Sequence, residues 1–160
     1  MIDNDHIAKV KGFNLPISTK FTVEICNFIR GKDLKKAKNL LKNVTEQKIP
    51  VPFKFALRDL GHKKGIGPGR YPVKASEHIL GLLKTVDSNA SYKGLNSDSL
   101  VICYASATKG VARMKPGRQR GRKYKFTNVE IVVKEKSGDV EVEKKVKKDS
   151  NVKIKMEKKK

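Results

Sequence analysis

Two stretches of this chain concentrate the residue types that hold phosphate. The first, Lys109–Lys125, reads KGVARMKPGRQRGRKYK and carries Lys109, Arg113, Lys115, Arg118, Arg120, Arg122, Lys123 and Lys125 with no acid among them. Lysine supplies a point charge and arginine a planar fork that matches phosphate oxygens two at a time, so such a run suits a polyanion. The second, Gly61–Arg70, reads GHKKGIGPGR. Its glycines let a backbone approach a ligand closely, and His62, Lys63, Lys64 and Arg70 stand beside them. This is a candidate phosphate-cradling loop. It is not a nucleotide P-loop, because no Gly-Lys-Ser/Thr ends it, and it does not fit Gly-x-Gly-x-x-Gly after a strand. A basic loop resting on a nucleic-acid backbone is the better reading.

Other chemistry finds no support. His6, His62 and His78 have no Cys, Asp or Glu at zinc spacing. There is no nucleophile elbow, no Ser-His-Asp pattern and no paired carboxylates in a cleft-forming context. Acids are scarce and scattered, whereas a nuclease or phosphotransferase needs a cluster of them to hold its metal. No catalytic residue, metal or cofactor is expected. Cys26 and Cys103 share no ligand spacing and make no disulfide framework. Both are expected to be buried free thiols.

The formal net charge of +21 points to the partner. Self-repulsion on that scale destabilises a compact monomer, so a counter-charge is expected in the working state, and nucleic acid is the first candidate. An anionic membrane surface is the weaker one: the sequence has no long amphipathic basic helix and no apolar run long enough to span a bilayer. The N-terminus has no signal-peptide apolar region, so a cytoplasmic location is expected. Residues 134–160 hold eleven Lys and six acids, net +5, which leaves +16 on the other 133 residues of the 160. The charge is therefore not a property of the tail alone.

The elements that must position these residues follow from periodicity. Leu100–Ala105 and Phe126–Val133 flank the basic run as two strand-like segments around a Pro/Gly tip, the pattern of a β-hairpin. With Cys103 opposite Ile131 the midpoint falls at Gly117, and each arm has roughly 14 residues, about 45 Å. Only the arm bases are apolar. The outer half has no face to bury and would not hold itself rigid in water, since an isolated ribbon is marginal. Phe21, Ile25, Phe28 and Ile29 mark a first helix, with Ser18 as its cap and Gly31 as its stop. Leu34, Ala37, Leu41 and Val44 mark a second, capped by Asp33. Its Lys35, Lys36, Lys38 and Lys42 form a solvated face or an RNA contact. Pro72 opens a third helix buried through Ile79, Leu80, Leu83, Val86 and Ala90, followed by a loop over 89–99. His6–Phe13 suggests a short edge strand. From Lys48 to Tyr71 regular structure is hard to assign, with Phe53, Phe55, Leu57 and Leu60 as anchors to the core.

Taken together these stretches resemble a universal family of large-subunit ribosomal proteins, number twenty-two in bacterial counting, in its archaeal and eukaryotic branch. The matching segments are Leu15-Pro-Ile-Ser-Thr-Lys20, Ile29-Arg-Gly-Lys32, Ile49-Pro-Val-Pro-Phe53, Gly67-Pro-Gly-Arg-Tyr-Pro-Val-Lys-Ala75, Asn89-Ala-Ser-Tyr-Lys-Gly-Leu95 and Arg118-Gln-Arg-Gly-Arg122, in family order. Gly-Pro-Gly-Arg-Tyr-Pro is the most specific. The resemblance implies an α+β domain, with three helices packed on a small antiparallel three-stranded sheet that extends into a long β-hairpin. It also implies a structural role in the large subunit, help with its assembly, and a hairpin tip that lines the nascent-peptide exit tunnel. Partners are then large-subunit ribosomal RNA, neighbouring ribosomal proteins and, transiently, the nascent polypeptide, with no membrane insertion. RNA contact is expected at the basic residues of the two stretches above and of the matched segments, namely Lys20, Arg30, Lys32, Arg70 and Lys74. The tip expected at the lumen is Met114, Lys115, Pro116, Gly117, Arg118, Gln119, Arg120 and Gly121.

The sequence departs from the family pattern where Gly117 separates Pro116 from Arg118 and Gln119 takes an Ala place. Asn128 stands where a His is common, and no role is transferred to it. The expected organisation is one domain over 1–136, with the hairpin over about 100–133 and its tip at 114–122. A Lys-rich tail over 137–160 is expected to be disordered unless bound. Tyr124 and Phe126 are candidate base stackers, or pack on the opposite arm. Two rival readings stay open on the residues alone: a free-standing nucleic-acid-binding factor, and an RNA-modifying enzyme using Gly61–Arg70 as its cofactor loop.

Overall fold

The computed structural model describes residues 6–57, 59–118 and 121–136. The expected Lys-rich tail over 137–160, and Gln119 and Arg120 of the tip, lie outside the described residues. The chain runs β1 (Ile7–Leu15), α1 (Thr19–Ile29), α2 (Leu34–Thr45), β2 (Val51–Pro52), β3 (His62–Lys63), β4 (Gly67–Arg70), α3 (Val73–Tyr92), β5 (Leu100–Lys109) and β6 (Thr127–Glu135). The main sheet is antiparallel in the order β1-β6-β5. Ala8, Ile102, Ala105, Val129, Ile131 and Val133 are buried from it in one core with the three helices. The fold is the expected α+β class.

The helices form where the apolar spacing puts them. Leu34, Ala37, Leu41 and Val44 are the buried residues of α2, a stripe at i, i+3, i+7 and i+10. Burial also pushes the Cys26 thiol of α1 up to about 12, against the opposing charge of Arg30. Lys38 of α2 donates to Asp87 of α3 at 2.6 Å, and that bond holds the Asp87 carboxyl below its ordinary range. Neither expected cap works through its side chain. Ser18 offers its carbonyl to the Thr22 N–H and hydroxyl instead. Asp33 accepts from Lys136 at 2.7 Å.

Several expectations need correction. The loop read over 89–99 begins later, because α3 runs on to Tyr92 with Ala90 buried in the core. Ala105, not Cys103, pairs with Ile131. The register shifts between Ile102 and Tyr104, so Cys103 is the extra residue of a β-bulge. Cys103 follows buried Ile102 on the outward side of the strand, so its thiol is exposed and not buried; the extra residue is what lets Ala105 return to the core. The segment 48–71 holds a second small sheet, β2-β4-β3, and Phe55, read as an anchor, is 69% exposed. Phe53 and Leu60 are buried there, and Leu57 packs partly against the core.

Candidate nucleic-acid interface

The root of the hairpin is built from residues far apart in sequence. Buried Thr127 opens β6; its hydroxyl donates to the Ile17 carbonyl at 2.9 Å and meets the Thr19 hydroxyl at 2.9 Å. This ties β6 to the start of α1. Asn14, at the end of β1, donates its N–H to Asn128 Oδ1 at 2.8 Å and accepts the Val111 N–H on its own Oδ1 at 3.1 Å. Gly110 fits between these groups because it has no side chain. A Cβ there would lie 2.7 Å from Asn14 Oδ1 and 3.0 Å from the Phe126 backbone. One stretch of the body, Asn14–Thr19, therefore fixes where the hairpin leaves the sheet.

Beyond the root the ladder thins out. Pairing is continuous to Lys109 opposite Thr127. Further out, among the described residues, backbone bonds run from Gly110 N–H to Phe126, from Tyr124 N–H to Arg113 and from Lys115 N–H to Arg122, each at 2.8 Å. Arg113, Met114, Lys115, Pro116, Gly117, Arg118, Gly121, Arg122, Lys123 and Lys125 are all exposed. Among the described residues, no hydrophobic side chain between Ala107 and Val129 belongs to the core cluster or packs against it. Tyr124 lies 5.9 Å from the Phe126 ring, and the Lys115 ammonium is 5.3 Å from the Tyr124 ring across the arms. Tyr124 is nonetheless 43% exposed, so part of the ring stays in contact with solvent.

Where the hairpin meets the body lies a groove of about 710 Å³. Lys20, Arg70, Lys109, Lys123 and Lys125 line it, together with Phe21, Tyr124 and Phe126, and among the described residues no acid does. Five cations from three chain segments and three aromatic rings in one groove can grip a backbone and stack a base at once. Arg70 also lines a neighbouring recess of about 420 Å³ with His62, Lys63 and Tyr71. The two form one basic track joined at that side chain.

The glycine-rich stretch proves to be the β3–β4 hairpin and not an open loop. Gly69 is buried against β2, where a Cβ would meet the Val51 carbonyl at 3.2 Å. Close strand packing accounts for that glycine without a ligand. His62, Lys63 and Lys64 are exposed on this hairpin, and Lys74 is exposed in the first turn of α3. Arg30 and Lys32 line neither recess. The Arg30 guanidinium donates to the Ala105 carbonyl at 2.6 Å, and Lys32 donates to the Phe28 carbonyl. Sequence reasoning missed Glu24, Thr127 and the groove wall formed by Phe21. Glu24 is legible in hindsight, since it lies three residues after Phe21 and four before Phe28, on the apolar side of α1. Among the described residues no group of His, Cys, Asp and Glu is placed to hold a metal ion. No helix there is long and apolar enough to cross a membrane.

Comparison with known proteins bears on this arrangement. The family model described as ribosomal protein L22p/L17e matches residues 10–134. A protein of Archaeoglobus fulgidus named large ribosomal subunit protein uL22 is 41% identical over 138 residues, covering 81% of this chain and 89% of that protein. Proteins of the same name from Picrophilus torridus and Staphylothermus marinus are each 42% identical, covering 80% and 83% of this chain and 89% and 92% of their own.

Proposed function

This chain belongs to the ribosomal protein L22p/L17e family, and from that premise we propose that it binds large-subunit ribosomal RNA through the basic track and lines the nascent-peptide exit tunnel with its hairpin tip. It is a structural constituent of the large subunit of the cytoplasmic ribosome and not an enzyme. Ribosomal RNA and neighbouring ribosomal proteins are its partners there. The observation that carries the RNA reading is the groove at the hairpin root, where Lys20, Arg70, Lys109, Lys123 and Lys125 converge with three aromatic rings and, among the described residues, no acid. Phosphates displace counterions from these side chains, which drives binding. Arg113, Lys115, Arg118, Arg120 and Arg122 extend the same contact along the hairpin, and His62, Lys63, Lys64 and Lys74 extend it along the body. Arg30 and Lys32 join it at the end of α1. RNA closing around the outer arms supplies the rigidity that their sparse ladder lacks, and so helps the RNA domains assemble. The body and hairpin act as one unit up to about residue 136, and the Lys-rich remainder adds attraction without a defined site.

At the tip, Met114 to Gly121 offers cationic, small and polar groups, with Met114 as its one large apolar side chain. A passing nascent chain meets no broad sticky surface there. The test is twofold. Tagged protein is expected to sediment with the large subunit in a sucrose gradient, and a signal confined to the light fractions overturns the reading. A photoreactive group placed at Met114 is expected to capture nascent polypeptide on translating ribosomes. Capture of RNA alone would move the tip out of the lumen.

A further inference from the structure

Glu24 is 1% exposed in α1. Its two carboxylate oxygens accept the backbone N–H groups of Lys54 at 3.2 Å, Phe55 at 2.8 Å and Ala56 at 2.7 Å. Three main-chain donors on one buried carboxylate fix the path of that segment. Phe53 anchors it on one side, buried and edge-on to Phe21 at 5.3 Å. On the other side Leu57 takes a φ of 59°, an uncommon conformation for a side chain of this bulk, which the surrounding contacts impose. The outcome is that Phe55 stands out from the body. A ring of this size on a slack loop would fold back onto the nearest apolar surface; here the clamp prevents it.

Beside Phe55 is a cleft of about 350 Å³, lined also by Asn27, Phe28, Lys32, Pro52 and Lys54. That volume lies at the lower end of sites for small ligands. The Lys32 ammonium sits 4.8 Å from the Phe28 ring centre. Burial first, and then the charges of Lys36 and Lys54, push Lys32 below the ordinary lysine range. An anion entering between these side chains supplies a counter-charge to the crowded cations. Three N–H groups on the Glu24 carboxylate in the wall offset part of its charge, and Lys32 and Lys54 line the same cleft.

We propose that this cleft receives one unpaired nucleotide of large-subunit ribosomal RNA, with its base stacked on Phe55, its edge read by the Asn27 amide and its phosphate held by Lys32 and Lys54. The proposal rests on the RNA-binding reading above, and it adds a contact separate from the hairpin groove.

The test measures binding of the full chain to a transcript of large-subunit ribosomal RNA over a series of salt concentrations. Phe55→Ala is expected to weaken binding about 5- to 150-fold, the range for loss of one stacked base. The salt slope should stay unchanged, since stacking releases no counterions. Phe55→Trp should retain affinity. Lys32→Gln should lower the slope by about one. Ultraviolet irradiation of assembled subunits should attach a nucleotide to Phe55. If the parent binds tightly and Phe55→Ala stays within about twofold of it, the cleft proposal falls and the RNA reading stands. If the parent does not prefer ribosomal RNA to an unrelated transcript, both fall. If Phe55→Ala leaves RNA affinity intact but loosens a neighbouring protein in the subunit, the ring belongs to a protein contact, and the proposal falls.

Discussion

Replacing Glu24 by alanine removes the acceptor of three backbone N–H groups at once. Hydrogen bonds to a charged group contribute about 1.5–3 kcal/mol each, though some donors regain water. Glu24→Ala is therefore expected to cost about 2–4 kcal/mol in urea unfolding, and Glu24→Gln, which keeps one acceptor oxygen, distinctly less. A loss below about 0.5 kcal/mol for the alanine variant would mean the turn at 54–56 stands without the carboxylate. Individual residues were also the scale at which sequence reading was weakest. Spacing shows that a position faces the core, but not that a carboxylate there has main-chain partners thirty residues away. Cys103 is a similar case. Leu100 and Ile102 alternate inward as a strand should, and nothing in Cys-Tyr-Ala reveals that one residue is extra until its partner strand is in place.

Whole elements were more legible, because apolar periodicity is what builds them. The stripes of α1, α2 and α3 and the hairpin bases were read from the chain. The sheet β2-β4-β3 was not, since strands of two to four residues containing Pro and Gly have no periodicity to show. The hairpin is the element whose physics matters most. Its base shares the core with the helices through Ala105, Val129 and Ile131, while none of the described residues between 110 and 126 belongs to that core. Replacing 111–125 with a short turn is therefore expected to leave cooperative unfolding intact, with a midpoint within about 5 °C of the parent, a shift equivalent to roughly 1 kcal/mol. Loss of cooperativity would show that the outer arms stabilise the body, contrary to their exposure. The same deletion removes Lys123, Tyr124 and Lys125 from the groove, so it should also weaken binding to ribosomal RNA. Retained affinity would locate binding elsewhere on the body.

At the scale of the molecule the governing quantity is charge, and it was fully visible in the composition. What composition cannot separate is a polycation that binds any RNA from a folded surface that selects one. Residues 137–160 carry nine Lys and five acids, net +4, which leaves +17 on residues 1–136. Residues 1–136 therefore hold most of the charge, and part of it lines the two recesses that meet at Arg70. With about 6–10 phosphates engaged, affinity should fall by roughly 10³–10⁵ between 50 and 200 mM salt. The non-specific component should fade along with it, while stacking and fitted contacts persist. The ratio of affinity for large-subunit ribosomal RNA over an unrelated transcript of equal length is thus expected to rise with salt. Truncation after Lys136 should lower absolute affinity and leave that ratio within about threefold, because sequence-independent charge carries no preference. A ratio that collapses on truncation would assign recognition to the tail. A ratio near one at every salt would reduce the groove, the cleft and the hairpin to a diffuse positive field.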